Sequence, residues 1–346
     1  SGILTGGCNN IESLNLRDNR MGDGGIKFIA DALASSTTSS SASSNRTKTK
    51  LAHLDVGWNA IRETGIKALC EMLQTNDTLR CLSLESNRVN EESSKLLADV
   101  LRTNTTLRSL NLKGTAVPVP GAQALALGLR TNSTLTELDL SCNRSMGEEG
   151  VAAIAKSLST THQNEEDDGN TTTNLQILKL DGNRVYLQAT TALHTMITSN
   201  STLVQLHLRS CFIIDEVAEV IADALTPSSS GGGCCSLQIL NLQGNQIGPV
   251  GAGHLSHALK TNRSLTMLNV AKNKPWGVTG VEEFAKGLVG NSTLQVLNVA
   301  HNFECQSRNL GGCIIAVVAL RNALFFPPLS KDDRDNDDDD DDDDDD

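Results

Sequence analysis

One phrase recurs along this chain: an aliphatic residue, two variable residues, Leu, one residue, Leu or Val, two residues, then Asn in most copies. It starts at Ile11, Leu51, Leu79, Leu107, Leu135, Leu175, Leu203, Leu237, Leu265 and Leu294, with spacings of 40, 28, 28, 28, 40, 28, 34, 28 and 29 residues. A period of 28 with occasional insertions leaves little freedom of fold. A single copy is too short to bury its own apolar residues, so the copies must stack and share one continuous core.

The copy that begins at Leu237 shows what one unit builds. Leu240 and Leu242 alternate with Ile239, Asn241 and Gln243. A period of two sends the leucines to one face of a short strand and the other residues to the opposite face. Asn245 stands where the chain must turn, and its side-chain amide can satisfy backbone groups of neighbouring turns. Ile247 returns to the core, Gly248 and Gly251 loosen the entry to a helix, and Leu255, Ala258 and Leu259 recur at helical spacing. The sequence therefore predicts an α/β solenoid of ten strand–helix units, with parallel strands on the concave face and helices outside. Thr115 and Cys211 stand where the other copies have the turn Asn. Thr offers fewer hydrogen-bonding groups, so the turn at Thr115 is expected to be locally weaker.

Solenoids grow by stacking, so residues 11–329 are read as one domain. The longer spacings arise from Ser-, Thr-, Asn- and Gly-rich inserts at 35–50, 159–174 and 226–236, expected to be flexible loops on one edge. No polar cap precedes Ile11, so 1–10 reads as the remnant of an upstream repeat or cap and the chain as a fragment. At the other end Ile314, Val317, Val318, Leu320 and Leu324 predict a last helix, stopped by Pro327 and Pro328 and too short to span a bilayer.

The net charge of −12 is concentrated at the C-terminus: Lys331–Asp346 carries −11, leaving −1 for the rest. The solenoid thus lacks the basic field that would attract nucleic acid. The tail 330–346, ending in ten consecutive Asp, is expected to be a disordered, solvating run. Nine cysteines form no disulfide framework: the count is odd, and Cys70, Cys81, Cys142 and Cys211 simply fall at repeat positions. No Cys pair with an accompanying His has zinc-site spacing, so neither metal nor other cofactor is expected, and a reduced, cytoplasmic setting is. Six of eight Asn-x-Ser/Thr triplets, at Asn76, Asn104, Asn132, Asn200, Asn262 and Asn291, occupy one repeat position just before the strand. There the Asn is expected to end the helix in left-handed geometry rather than to carry a glycan.

The third, fifth and seventh residues of each phrase face the open side of the sheet, with the eighth at its rim. The fifth series, from Asn15 and Asp55 through Lys179 and His207 to Asn298, is polar throughout. This predicts a polar groove suited to a protein partner rather than a closed apolar pocket. Two candidate patches stand out. His53, Asp55, Trp58 and Glu85 form an acidic cluster with a rim aromatic, and Glu137, Asp139, Lys179, Asp181, His207 and Arg209 form a mixed-charge centre. No nucleophile elbow, phosphate loop, zinc-protease helix or dinucleotide fingerprint is present. The chain is accordingly read as a monomeric, non-enzymatic interaction scaffold or sensor.

The 28-residue length and the repeated Leu-x-x-Asn-x-Thr/Ser-Leu junction resemble the ribonuclease-inhibitor-like class of leucine-rich repeats over residues 11–325. The resemblance implies a horseshoe with strands inside and full helices outside, as in the sensor ends of NOD-like receptors. The chain is also similar to Ran GTPase-activating proteins, which combine such repeats with an acidic C-terminal tail and a Gly-x-Asn-Arg type turn after a long repeat. Asp181, Gly182, Asn183 and Arg184 follow the 159–174 insert here, after a repeat with Asn143, Arg144, Gly147 and Gly150. This second likeness implies a small Ran-like GTPase as partner, with Asn143 and Arg184 as the activating residues.

Overall fold

The computed structural model describes residues 10–34, 49–159, 173–227 and 236–302. Ten three-residue strands form one sheet in sequential order: β1 (Ser13–Asn15), β2 (His53–Asp55), β3 (Cys81–Ser83), β4 (Ser109–Asn111), β5 (Glu137–Asp139), β6 (Ile177–Lys179), β7 (Gln205–His207), β8 (Ile239–Asn241), β9 (Met267–Asn269) and β10 (Val296–Asn298). Every neighbouring pair is parallel, and Leu faces Leu across each ladder, as Leu110 does Leu138 and Leu240 does Leu268. Parallel neighbours need a crossover. The described crossovers are helices: α1 (Gly22–Ala34), α2 (Glu63–Leu73), α3 (Glu91–Thr103), α4 (Val119–Arg130), α5 (Gly147–Ser157), α6 (Leu187–Ser199), α7 (Asp215–Leu225), α8 (Pro249–Thr261) and α9 (Gly277–Leu288).

The core lies between sheet and helices and runs unbroken from Ile26 to Leu288. The first, fourth and sixth residues of the inner phrases are buried: Leu135, Leu138 and Leu140 in one copy, Leu237, Leu240 and Leu242 in another. In the first and last described copies the same positions are only partly covered, at Ile11, Leu14, Leu16 and at Leu294, Leu297, Val299. Each inner unit's leucines are sealed by the unit on either side. Helices pack at the same repeat, in places closely enough to demand glycine: a Cβ at Gly128 of α4 would meet the Ala98 carbonyl of α3 at 2.6 Å. Near the C-terminal end the core widens to take Trp276 stacked on Phe284, ring centroids 5.0 Å apart.

Two files of asparagine side chains join the units. At the strand-to-helix turn, Asn59 donates its amide to the carbonyls of Leu16, Val56 and Gly57 at 2.8–3.0 Å. Its Oδ1 accepts from the N–H groups of Asn19 and Met21 in the preceding unit. Asn59, Asn143 and Asn273 in turn give their own N–H to Oδ1 of Asn87, Asn183 and Asn302. Thr115 and Cys211 interrupt this file. The Thr115 hydroxyl donates to the Leu112 carbonyl at 2.7 Å and the Cys211 thiol to that of Leu180 at 3.2 Å. The N–H of the preceding Asn then turns back within its own loop, from Asn87 to the Leu84 carbonyl at 3.2 Å and from Asn183 to that of Leu180 at 3.3 Å. The looser turn expected at Thr115 is thus seen one unit upstream, where the missing acceptor is felt.

The second file lies where helix meets strand. The side-chain nitrogens of Asn104, Asn132, Asn200, Asn262 and Asn291 donate to the last helical carbonyls of the preceding unit, at Leu73, Leu101, Leu158, Leu225 and Leu259. Each Oδ1 accepts from the N–H two and three residues on, as Asn104 does from Thr106 and Leu107. This corrects one expectation. Asn104, Asn200 and Asn262 close their helices in extended backbone (φ −78°, −82° and −65°), not left-handed. A side chain that bonds both units has no need of the left-handed turn. In these five copies the amide nitrogen that a glycan would require is committed to the fold, and that of Asn76 is buried without a partner.

The insert interiors 35–48, 160–172 and 228–235, the segment 1–9 and everything after 302, including the predicted last helix and the acidic tail, lie outside the described residues.

Candidate functional site

The open face of the sheet displays three side chains per unit on a lattice about 4.8 Å apart from strand to strand. Over β1–β6 it forms an open trough of about 370 Å³ whose lining includes Ser13, Asn15, His53, Asp55, Cys81, Ser83, Glu85, Ser109, Asn111, Glu137, Asp139 and Lys179. Seven of the ten predicted partner-binding residues are thereby accounted for differently from the rest: His53, Asp55, Glu85, Glu137, Asp139 and Lys179 line the trough, and Trp58 stands 52 % exposed at the rim.

The cluster around Glu85 is not simply acidic. Arg17 reaches across from the first unit and donates to Glu85 Oε2 at 2.9 Å, while Lys113 approaches Oε1 to 3.2 Å from the other side. Asp55 lies 3.8 Å from the same Arg17. The hydrogen bond from Arg17, helped by Lys113, holds the Glu85 carboxyl below its usual value against the opposing effect of burial. Arg17 is raised by the same bond. Two cations and two carboxylates here neutralise one another, which corrects the expectation of a negative patch.

The mixed-charge centre separates into two parts. Lys179 and Glu137 pair at 2.6 Å across β5 and β6. Asp181 is committed to the backbone, its Oδ1 accepting from the Arg209 N–H at 2.7 Å, and burial raises its pKa. His207 is also pushed down by burial and lies 3.5 Å from Gln205 Oε1. Burial thus disfavours the charged form of both side chains. Asp139 Oδ1 accepts from the Ser141 N–H at 2.8 Å, fixing the turn that follows β5.

Of the two GTPase-activating candidates, Arg184 is exposed but Asn143 is fully buried. The Asn143 amide donates to Leu112, Leu140 and Ser141, and its Oδ1 accepts from Val117. It belongs to the first asparagine file and offers no atom to a partner, so its assignment as a contact residue is corrected.

Three features escaped the sequence reading. Beyond β5 the fifth position stays polar, but the third residue of the phrase becomes Ile177, Gln205, Ile239, Met267 and Val296, the last 48 % exposed. Gln205 interrupts the series, and the units of β6 and β7 still carry Lys179, Asp181, His207 and Arg209; over β8–β10, with neutral Asn241, Asn269 and Asn298 beside them, Ile239, Met267 and Val296 form an apolar row. The signal was the third series itself, overlooked beside the polar fifth. Secondly, the eighth residue of every phrase has positive φ, whether Gly (114, 182, 244) or not: Asp18, Trp58, Ser86, Cys142, Ser210, Lys272 and His301 lie at 53–62°. Trp58 therefore projects from a left-handed turn that its bulk does not favour. The third feature is Arg17, whose partner is 68 residues away in sequence.

Among the described residues no group of His, Cys, Asp and Glu is arranged to hold a metal ion, and no helix is long and apolar enough to cross a membrane. Cys70, Cys81, Cys142 and Cys211 are free; burial raises the thiols of Cys70 and Cys211 to about 12.

No curated protein is significantly similar in sequence to this chain. Among solved structures, the leiomodin-1 actin-binding site 2 is 13 % identical with a TM-score of 0.33, covering 64 % of this chain and 83 % of that one. TLR13, in a structure of its complex with ssRNA13, is 17 % identical with a TM-score of 0.45; the match covers 87 % of this chain but 38 % of that one. The tropomodulin C-terminal domain of Caenorhabditis elegans is 13 % identical with a TM-score of 0.34, covering 49 % and 92 %. Residues 7–30, 47–70, 103–126, 131–155 and 233–256 match the family model described as Leucine Rich repeat. The period, the parallel ladder and the alternating helices make the chain an α/β solenoid, in which five segments match the leucine-rich repeat model.

Proposed function

We propose that this chain is an interaction scaffold or sensor module that binds a protein partner across the open strand face and performs no chemistry of its own. The observation that supports this reading is the division of that face into a polar, internally ion-paired trough over β1–β6 and an apolar row at Ile239, Met267 and Val296 over β8–β10. Full burial of each Ile, Met or Val of the row would contribute about 1.5–3 kcal/mol, while the charges of the trough select among partners. Both surfaces are open to water, whereas catalysis needs preorganised groups in a water-excluded site. The cysteines among the described residues, all free, suit a reducing compartment, and the proposed setting is the cytoplasm, with the chain a monomer.

The test is affinity capture with the full chain, crosslink mapping of the captured partner, and equilibrium binding of that partner once purified. Ile239→Asp with Met267→Asp should weaken binding at least about tenfold, since each places an unpaired charge in the contact. Leu127→Asp on the helix side should not. Weakening by Leu127→Asp alone would move the interface off the strand face and sink the proposal. A second reading, activation of a Ran-like small GTPase, retains exposed Arg184. Single-turnover GTP hydrolysis stimulated by two or more orders of magnitude, and lost in Arg184→Ala, would replace the scaffold reading (such factors are typical of a supplied arginine, roughly 10³–10⁵).

A further inference from the structure

Over β7–β10 the open face carries no carboxylate. The third, fifth, seventh and eighth residues of these four units include Arg209 and Lys272, both exposed, and no Asp or Glu. Ion pairs among the described residues include neither cation. The nearest acid on the face is Asp181 of the preceding unit, whose Oδ1 is turned onto the Arg209 N–H at 2.7 Å. Asp215 and Glu216 open α7, on the helix side of the turn, and Asp215 accepts from the Gly248 N–H at 2.5 Å.

The uncharged groups are one-sided as well. Asn241, Asn269 and Asn298 stand opposite one another across β8–β10. Each Oδ1 is occupied, accepting from the N–H two residues on, at Gln243, Ala271 and Ala300. The Nδ2 groups are left over: among the described residues none of the three has a protein acceptor. A row of N–H donors thus runs beside the apolar row of Ile239, Met267 and Val296. Donors and cations without carboxylates are complemented by acceptors and negative charge.

Direction and spacing limit what can lie there. Like side chains line up across the strands, at about 4.8 Å per strand, whereas along any one of these strands the apolar residue is followed by an amide. A ligand that uses the apolar row must therefore cross the strands. Same-face residues of an extended peptide recur every ~6.6–6.8 Å, so over the ~9.6 Å from Ile239 to Val296 such a peptide drifts by about 4 Å. A helix returns to the same face about every 5.4 Å and drifts by only ~1.2 Å over the same two spacings.

We propose that the partner element held over β7–β10 is an acidic amphipathic α-helix lying across the strands. Its apolar residues at i, i+3 or i+4, and i+7 sit on Ile239, Met267 and Val296, and its Asp and Glu side chains meet the Asn Nδ2 row and Arg209. This rests on the strand face being the binding surface and adds the conformation, direction and charge of what binds.

Random sixteen-residue peptides displayed on phage and selected against the full chain supply the probe. Enriched peptides should carry apolar residues at helical spacing with Asp or Glu beside them. A lactam bridge that fixes the helix on its outer face should tighten binding about threefold or more, since less order is lost on docking. Ile239→Ser with Met267→Ser, shown by urea melts to be folded, should weaken the synthesised peptides at least about tenfold. Arg209→Gln should weaken them about two- to fivefold, an effect that fades with salt. Peptides that are weakened by the serine pair but carry apolar residues at period two, or Lys and Arg in place of Asp and Glu, overturn the acidic helix and leave the strand-face reading standing. Selection that yields only peptides indifferent to the serine pair, or none, overturns this docking site. The captured partner's response to Ile239→Asp with Met267→Asp decides the strand-face reading separately.

Discussion

The two halves of the sheet are built alike inside and differently outside. Beneath β2–β5 and β6–β9 the same leucines are buried at the same register. On the open face the first half presents Ser13, His53, Cys81, Ser109 and Glu137 at the third position, and the second half presents Ile177, Gln205, Ile239, Met267 and Val296. The charges of the first half are tied together by Arg17, Lys113 and Lys179. The last three strands carry none at the third or fifth position. One backbone lattice therefore supports two surfaces of different chemistry. The interior settles the fold, and the outward side chains are free to differ.

If the interior is equivalent, Leu140→Ala in the first half and Leu242→Ala in the second should each cost about 2–5 kcal/mol through the cavity left behind. Urea melts that give a large loss for one and under about 0.5 kcal/mol for the other would break the equivalence. The asparagine file sharpens the point within the first half. Asn143→Ala strands several buried carbonyls and N–H groups and should cost about 2–3 kcal/mol. Thr115→Ala, which removes one hydroxyl donor from the corresponding turn, should cost about 1 kcal/mol. Equal losses would mean that the file contributes nothing beyond packing.

The smallest effect expected separates the outer surfaces by pH. The Glu85 carboxyl is lowered in the folded chain, so its contribution is present above the unfolded carboxylate range and is lost as pH falls through the folded value. Asp181 has the opposite sign: its raised value favours the folded chain at low pH, and that contribution is lost as pH rises through the folded value. Glu85→Gln should therefore flatten the acid limb of a stability–pH curve, and Asp181→Asn should steepen it. Each change should be about 0.5–1 kcal/mol, as befits partly exposed groups. Shifts of the same sign for both variants would contradict the assigned environments.

What was legible in the sequence followed from periodicity. The inward leucines, the strand positions and the helical stripe from Leu255 to Leu259 are local patterns with period two or 3.6. What was not legible depends on a neighbour that the one-dimensional pattern hides. Glu85 read as part of an acidic patch because its cations sit in other units. Asn143 read as a surface candidate because the amide that fills a buried turn and the amide that meets a partner are the same residue type. The helix-ending Asn read as left-handed because its bond to the preceding unit, as from Asn200 to Leu158, spans 42 residues. The apolar row at Ile239, Met267 and Val296 is written in the third series, while the fifth beside it stays polar.

The left-handed eighth position has a consequence for how such a surface can change. Its N–H donates to the seventh carbonyl of the next unit in copy after copy: Trp58 to Glu85, Ser86 to Lys113, Gly114 to Ser141, Cys142 to Asp181, Gly182 to Arg209, Ser210 to Gln243. The neighbour, not the residue, imposes the turn. A non-glycine side chain there is disfavoured by about 1–2 kcal/mol, less for Asn or Asp and more for a bulky one, a cost the ladder bond tolerates. Tryptophan, serine, cysteine, lysine and glycine all occupy the position. The bond that holds the rim is made by atoms every amino acid but proline possesses, so the rim can be rewritten one letter at a time while the scaffold beneath stays the same.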